Sequence, residues 1–511
     1  MEKILWADDE IDLLKPHLLF LKSKGYVVDT VNNGRDALDA LDREQYSLVL
    51  LDEMMPGLSG LETLARINQE HPEIPVIMIT KSEEENIMNQ AIGSRIADYL
   101  IKPVNPMQIL LSIKKNLHST ELVARQATTD YQQAFTGMSD MINRASSLDE
   151  WKEVYRQLVY WELKLSDSES GMEEMLRMQK RDANFNFCKF VKKNYGDWIT
   201  GDDRPLTSPD IFSKRVFPLL DAGEKVCFIL IDNFRLDQWR TVQPFVSEFF
   251  NVNEELYPTI LPTSTQYARN AIFAGLMPLN IATMFPNLWV EEDEDEGLNI
   301  HESELIQTQL DRYRRKEKFS YNKLNDSSAG EKFLSRINSI KDLPLNVIVL
   351  NFIDMLSHAR TESKMIRELA NSDAAYRSLT ESWFRHSSTA ELLRRLAELK
   401  FKVILTTDHG TIKVDNPIKV IGDRNTNTNL RYKVGKNLNY NAKQVYEMKD
   451  PKKFGLPSPN LSSTFIYAMN EDFFSYPNNY NYYVQYYTGT FQHGGISLEE
   501  MLVPLVTLSP K

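Results

Sequence analysis

Two cysteines, Cys188 and Cys227, are all that the 511 residues carry. So few thiols exclude a disulfide-stapled secreted scaffold. Both stand among apolar or aromatic neighbours, which predicts buried thiols in a reducing compartment. No apolar run reaches the ~18 residues that a membrane span needs. The N-terminal MEKILWADDE lacks the apolar core and small-residue cleavage site of a signal peptide, so a cytoplasmic location is expected. Positive charge is also in deficit. Lys and Arg number 59 against 71 Asp and Glu, a net charge of -12, the reverse of a broad nucleic-acid surface. No helix-turn-helix pattern follows residue 118, so direct duplex DNA binding is not expected. A fixed-period repeat is missing as well.

What is present is enough for several ordinary cores. Hydrophobic residues make up 42% and charged residues 25%, and the length suits about three domains. The expected fold class is α/β throughout: a doubly wound parallel-sheet receiver at 1–120, a helical bundle linker at 121–204, and a larger α/β domain at 205–511. In the first part, the apolar runs KILWADD (3–9), VVDTV (27–31), LVLLD (48–52), VIMIT (76–80) and DYLIKP (98–103) each precede a helical pattern. Five such units predict a parallel sheet covered on both faces. In the linker, Ser147 to Glu150 form a capping-box pattern, followed by Trp151, Val154, Tyr155, Leu158 and Leu165 at helical spacing. Further helical stretches flank it near 120–145 and 171–195. Strand patterns return at 226–234, 345–354, 402–410 and 463–469. The acidic run 291–296 and the basic run 312–318 read as solvated surface.

Open parallel sheets collect ligands outside the carboxyl ends of their strands. Five polar groups fall there in the first domain: Asp8 and Asp9 after the first strand, Asp52 after the third, Thr80 after the fourth and Lys102 after the fifth. Asp52 is a carboxylate nucleophile suited to a phosphoryl group. Asp9 and Asp52, with Asp8 directly or through water, suit a hard cation such as Mg²⁺. Lys102 and Thr80 suit the phosphoryl oxygens. The motifs DDE, LLDEMMPGLSGLE, ITK and YLIKP resemble the CheY-like receiver family over residues 1–118. That resemblance implies a sensor histidine kinase as donor, phospho-Asp52, Tyr99 as the switch aromatic, and a surface that rearranges to control dimerisation or docking.

A second constellation lies in the C-terminal domain. Asp232 follows one strand pattern. Asp354 and His358 are four apart, so one helix face can present both. Asp408 and His409 follow another strand, and His493 lies in FQHGG. If the strands are parallel, Asp232, Asp354 and Asp408 meet at one sheet edge. Imidazole with carboxylate suits Zn²⁺, and this many ligands suffice for two ions and a displacement at phosphorus.

The order of these residues resembles the alkaline phosphatase superfamily. VFPLLDAGEKVCFILIDNFRLDQW, PTSTQYARNAIFAG, TTDHG and QHGGISLEEMLVP resemble its PglZ branch over about 205–511. The resemblance implies that Asp232, Asp408 and His409 hold one zinc, and that Asp354, His358 and His493 hold the other. It also implies a threonine nucleophile between them. Thr265 fits the Pro-Thr-x-Thr pattern best, with Thr263 as the alternative. An arginine to clamp substrate phosphate is not identified, Arg235 and Arg269 being the candidates; without one, diesters are favoured over monoesters.

Receiver plus PglZ-like domain resembles a class of two-domain regulators of type IX protein secretion and gliding motility. The expected function is a phosphorylation-controlled zinc phosphodiesterase acting on nucleotide-type substrates, including cyclic oligonucleotides, and forming a homodimer on phosphorylation. The alternative is a phospho-controlled scaffold that binds a sigma factor or secretion component, with zinc structural.

Overall fold

The structure, a computed structural model, describes the chain except residues 1, 82–84, 167–170, 291–298, 363, 423–425 and 459–461. The acidic run at 291–296 therefore lies outside the described residues. The chain divides into two compact units, Met1–Thr129 and Asp130–Ser166 with Gly171–Lys511.

The first unit holds β1 (Lys3–Ala7), β2 (Val27–Val31), β3 (Leu48–Leu51), β4 (Val76–Thr80) and β5 (Asp98–Ile101), alternating with α1 (Lys15–Ser23), α2 (Gly34–Arg43), α3 (Gly60–Glu70), α4 (Glu85–Gly93) and α5 (Pro106–Leu117). The strands run parallel in the order β2-β1-β3-β4-β5. Two apolar clusters, one around Leu5, Val49 and Met78 and one around Ile4, Leu50 and Ile77, fill the two faces. Burial on both sides holds for β1, β3 and β4. The edge strands β2 and β5 are largely half-buried or exposed, because each has a neighbour on one side only. Helix starts follow local side-chain chemistry. Asn33 accepts from Asp36 N, and Ser59 and Asn105 form capping boxes with Glu62 and Gln108, satisfying amides that the helix leaves unpaired.

Long helices follow: α6 (Ser119–Arg144), α7 (Leu148–Leu165) and α8 (Met172–Thr200). The capping box at α7 forms as expected, with Ser147 accepting from Glu150 N. Helix α7 buries Trp151, Val154, Tyr155, Leu158 and Leu165. At about 1.5–3 kcal/mol for a fully buried large apolar side chain, this stripe anchors the helix.

The second unit is built on six strands: β6 (Val226–Ile231), β7 (Phe250–Pro258), β8 (Phe319–Leu324), β9 (Leu345–Leu350), β10 (Lys402–Thr406) and β11 (Leu502–Pro510). Their order is β7-β11-β10-β6-β9-β8. Strands β10, β6, β9 and β8 are parallel, and β11 runs antiparallel between β10 and β7. Every residue of β6 and β9 is buried. The apolar pattern at 463–469 forms Thr464–Tyr467, which pairs in a separate three-stranded sheet instead of this one. Cys188 and Cys227 are both buried and free; burial pushes the Cys188 thiol up to about 12. Among the described residues, no helix is long and apolar enough to cross a membrane.

Candidate functional site

In the receiver, Asp8, Asp9 and Asp52 present carboxylate oxygens close enough together to share one ion. The carboxyl ends of adjacent β1 and β3 bring them there. Lys102, just past β5, places Nζ 2.8 Å from both Asp8 Oδ2 and Asp52 Oδ2. Burial pushes the Asp52 carboxyl above its usual range, and Lys102 opposes this. Burial likewise disfavours the Lys102 charge, but the hydrogen bonds to Asp52 and Asp8 outweigh it and hold the ammonium protonated. Among the described residues, Asp52 Oδ1 is buried without a hydrogen-bond partner, which fits an oxygen open to a cation or an incoming group. Thr80 is buried at the end of β4, and Tyr99 is half-buried in β5.

In the second unit, Asp232 follows β6 and Asp408 follows β10, two adjacent parallel strands. Their carboxylates and the His409 imidazole form one potential ligand group, and Asp354, His358 and His493 form another. Asp354 and His358 lie in a helix at Phe352–Glu362, just after β9, and His358 Nε2 is 3.4 Å from Asp354 Oδ2. His493 comes from the loop before β11, with Nε2 3.8 Å from Asp354 Oδ1. The His409 and His493 rings stack with centroids 4.2 Å apart, so the two groups adjoin. All six ligand residues expected from the sequence therefore converge. Gly494, at φ +122°, has no room for a Cβ, which would lie 2.6 Å from the Tyr432 ring. Only glycine turns the chain tightly enough there behind His493.

The two threonines separate clearly. Thr263 is fully buried. Its hydroxyl donates to Gly495 O (2.9 Å) and accepts from Gly494 N (3.0 Å), so it ties the His493 loop in place. Thr265 opens helix α9 (Thr265–Ala274). Its Oγ1 lies 3.0 Å from His409 Nε2 and 3.4 Å from Asp232 Oδ1. The start of the helix adds unpaired amides that favour anions.

Neither candidate arginine is left for substrate. Arg269 is buried; it bonds Asp232 Oδ2 through NH2 and donates from Nε to Asp408 Oδ2 (2.9 Å). Its NH1 reaches Glu302 (3.2 Å) and Asn351 (3.4 Å). Arg235 forks onto Asp237 and reaches Asp373. Sequence reasoning missed Glu302, Asn351 and Asn233. Asn233 donates its backbone N to Asp408 and its side-chain amide to Asp354, at φ +61°. A lone Asn after a strand-end Asp is the signal that points to such a turn. Glu302 sits far away in sequence on helix α10 (Glu302–Arg312), and no local pattern marks it.

Electrostatics follow from this crowding. Burial pushes the Asp232 carboxyl well above its usual range, against Arg269. Burial also works against Asp408, but Arg269 and His409 hold it low. Asp354 is held low by His358 and His493 despite burial. Burial and His409 push His493 down to about 3. The acids Asp232, Asp354, Asp408 and Glu302 are compensated by Arg269 and by Lys323, which is 3.1 Å from Glu302. Among the described residues that leaves a negative balance, which a divalent cation on these carboxylate and imidazole donors would offset.

Three family models match the chain. A response regulator receiver domain matches residues 4–114, the PorX response regulator linker domain 121–199, and the BREX system PglZ alkaline phosphatase-like domain 211–508. The transcriptional regulatory protein ResD of Bacillus subtilis is 32% identical over 140 residues, covering 27% of this chain and 55% of ResD. A CpxR homolog of Haemophilus influenzae is 40% identical over 116 residues, covering 22% and 49%. The chain spans about half the length of these curated relatives. Among solved structures, a CheY-like receiver domain protein from Methanospirillum hungatei matches with 27% identity and a TM-score of 0.23, covering 24% of this chain and 97% of its own. The response regulator DrrB of Thermotoga maritima matches with 33% identity and a TM-score of 0.21, covering 22% and 52%.

Proposed function

The chain belongs to the PglZ alkaline phosphatase-like family and carries a response-regulator receiver ahead of that domain; from this premise we propose a phosphodiesterase controlled by phosphorylation of Asp52. The observation that carries the reading is Thr265, whose hydroxyl lies between His409 and Asp232 at a helix start.

In this reading Asp232, Asp408 and His409 hold one Zn²⁺, and Asp354, His358 and His493 hold a second. When bound, the ions supply the Lewis acidity that lowers the threonine pKa and offsets charge on the phosphoryl oxygens. Thr265 Oγ1 gives up its proton and bonds to phosphorus, the P–O bond to one alcohol of the diester breaks, and that alcohol leaves protonated. Water then hydrolyses the threonyl phosphoester, releasing the phosphate monoester and restoring the hydroxyl. Arg269 bonds Oδ2 of both Asp232 and Asp408, which leaves Asp232 Oδ1 toward Thr265 and His409, while Asp408 Oδ1 accepts from Asn233 N, Thr407 Oγ1 and His409 N. Because Arg235 and Arg269 are both engaged by carboxylates, a monoester dianion finds less neutralisation than a diester monoanion. Nucleotides and cyclic oligonucleotides are the substrate class.

In the receiver, a sensor histidine kinase supplies the phosphoryl group to Asp52, with Mg²⁺ on Asp8, Asp9 and Asp52. Lys102 and Thr80 contact the phosphoryl oxygens, and Tyr99 responds. Phosphorylation promotes a homodimer, and the output is control of type IX secretion and gliding. Hydrolysis of bis-p-nitrophenyl phosphate by zinc-loaded protein tests the enzyme, with Thr265→Ala alongside. Turnover lost in the variant supports the reading. Bound zinc without turnover in the unaltered protein leaves the scaffold for a sigma factor or secretion component instead. Sedimentation with and without beryllofluoride tests the dimer, and an unchanged mass removes it.

A further inference from the structure

Helix α8 is more than a spacer. Asn184, Cys188, Val191 and Tyr195 fall on one stripe of it at helical spacing, and all four are buried. The stripe meets both loops that carry the candidate chemistry. At its C-terminal end, the Tyr195 hydroxyl accepts from Leu261 N at 2.7 Å, one residue before the Pro262–Thr265 turn. Toward its N-terminal end, Asn184 accepts from Leu498 N (2.7 Å) and donates to Glu499 Oε2 (2.9 Å). Between them, the Cys188 thiol donates to Ile496 O at 3.2 Å. The second set of contacts holds the chain just after His493, Gly494 and Gly495. Thr263 then joins the two loops to each other through Gly494 and Gly495.

These bonds are specific in what they satisfy. Leu261 N is a buried loop amide, and Leu498 N is the first amide of a short helix at Leu498–Met501, which no intrahelical carbonyl can take; α8 side chains accept from both. An unpaired buried amide costs roughly 1–3 kcal/mol, so each loop is driven to keep its place against α8. Lys180, one turn before Asn184, adds an ion pair to Glu162 of α7 (2.8 Å) and lies 3.4 Å from Glu499. The linker helices and the His493 loop thus share one buried polar cluster.

We infer that Asn184 and Tyr195 of helix α8 are positioning residues: Asn184 sets the His493 loop and Tyr195 sets the Thr265 loop. Their effect on turnover rests on the phosphodiesterase reading; their effect on the loops does not. Because α8 contacts both loops, a change in α8 alters both halves of the site together. Displacements of about 1 Å at reacting groups cost up to about a hundredfold in rate.

Amide hydrogen exchange on the full-length protein tests this, using Asn184→Ala, Tyr195→Phe and the control Lys193→Ala on the exposed side of the same helix. Tyr195→Phe is expected to speed exchange at 259–268, and Asn184→Ala at 493–501, with the rest of the unit unchanged and the control silent. Zinc titration and bis-p-nitrophenyl phosphate kinetics on the same proteins form the second arm. Asn184→Ala is expected to weaken binding of one of two zinc ions, and Tyr195→Phe to lower kcat about tenfold with zinc stoichiometry and KM kept. Exchange in both loops equal to that of the unaltered protein overturns the inference. So does faster exchange across the whole unit with a collapsed melting transition, because the helix would then be a general support. An unaltered protein that binds no zinc or turns over no diester defeats the phosphodiesterase reading, while the exchange arm still decides the role of α8.

Discussion

The receiver site and the effector site are two solutions to one problem. Each gathers carboxylates at the carboxyl ends of parallel strands, and each sets a buried cation among them: Lys102 between Asp8 and Asp52, Arg269 between Asp232 and Asp408. They differ in their third component. The receiver group is all oxygen, which suits a hard ion that keeps its waters. The effector groups add His409, His358 and His493, which suit zinc. They differ also in the proposed nucleophile. Asp52 is itself one of the clustered carboxylates, whereas Thr265 is a neutral hydroxyl brought in from a different segment. A neutral hydroxyl needs the stronger activation, and in the proposed reading zinc on the imidazole donors would supply it.

The largest effects break one site and spare the other. Asp52→Asn is expected to abolish phosphoryl incorporation from acetyl phosphate in a mobility-shift assay, with zinc content unchanged by atomic absorption. Thr265→Ala is expected to lower diester turnover by at least about a thousandfold while receiver phosphorylation proceeds. Thr263→Ala is expected to lose stability by roughly 1–3 kcal/mol, because Gly494 N is left unpaired, and to lower turnover far less than Thr265→Ala, because it loosens the His493 loop and leaves the Thr265 hydroxyl in place.

Next comes the buried cation of the effector. Arg269→Met leaves Asp232, Asp408 and Glu302 without it and is expected to destabilise the metal-free second unit by about 3–5 kcal/mol. Added zinc is expected to restore part of this, by about 2.7 kcal/mol at a hundredfold excess over Kd. Thermal melts with and without zinc read both numbers, and a melt insensitive to zinc counts against the site.

The pH dependence separates the regions by sign. His493 is pushed down to about 3 in the fold against ~6.5 unfolded. Between these values only the unfolded chain takes the proton, so metal-free stability falls as pH drops from about 6.5 toward 3. Asp52 is raised by burial, so its contribution runs the other way and declines as pH rises above ~3.9. His493→Gln and Asp52→Asn are expected to change the slope of stability against pH in opposite directions. The smallest effect is Ser147→Ala at the start of α7, expected to cost ~1 kcal/mol in denaturant melts and to leave both sites intact.

Legibility differed between the sites for a physical reason. In the receiver, Asp8, Asp9, Asp52, Thr80 and Lys102 stand at or just past the ends of apolar strand runs, and α/β alternation aligns those ends. In the effector, Asp232, Asp354 and Asp408 follow the same rule and were readable. Arg269 was visible as a residue but not as a partner of Asp232 and Asp408, since strand patterns say nothing about what a helix at 265–274 faces. Glu302 and Asn351 carry no local pattern. The apolar run at 463–469 looked like those of the main strands, yet its partners lie in a separate sheet. Pairing is a matter of register between distant segments, which an apolar run leaves open.

Sequence alone determined the α/β class, the receiver motif, the helical start at Ser147, and the identity of the clustered acids and histidines. Strand-end position, helical periodicity and capping are local properties, written within a few residues. Only the tertiary structure decided that Thr263 is spent on Gly494 and Gly495 while Thr265 faces His409, that Arg269 joins two carboxylates, and that α8 reaches both loops. Each of those outcomes depends on which buried donor meets which acceptor across hundreds of residues, and close packing in three dimensions settles that.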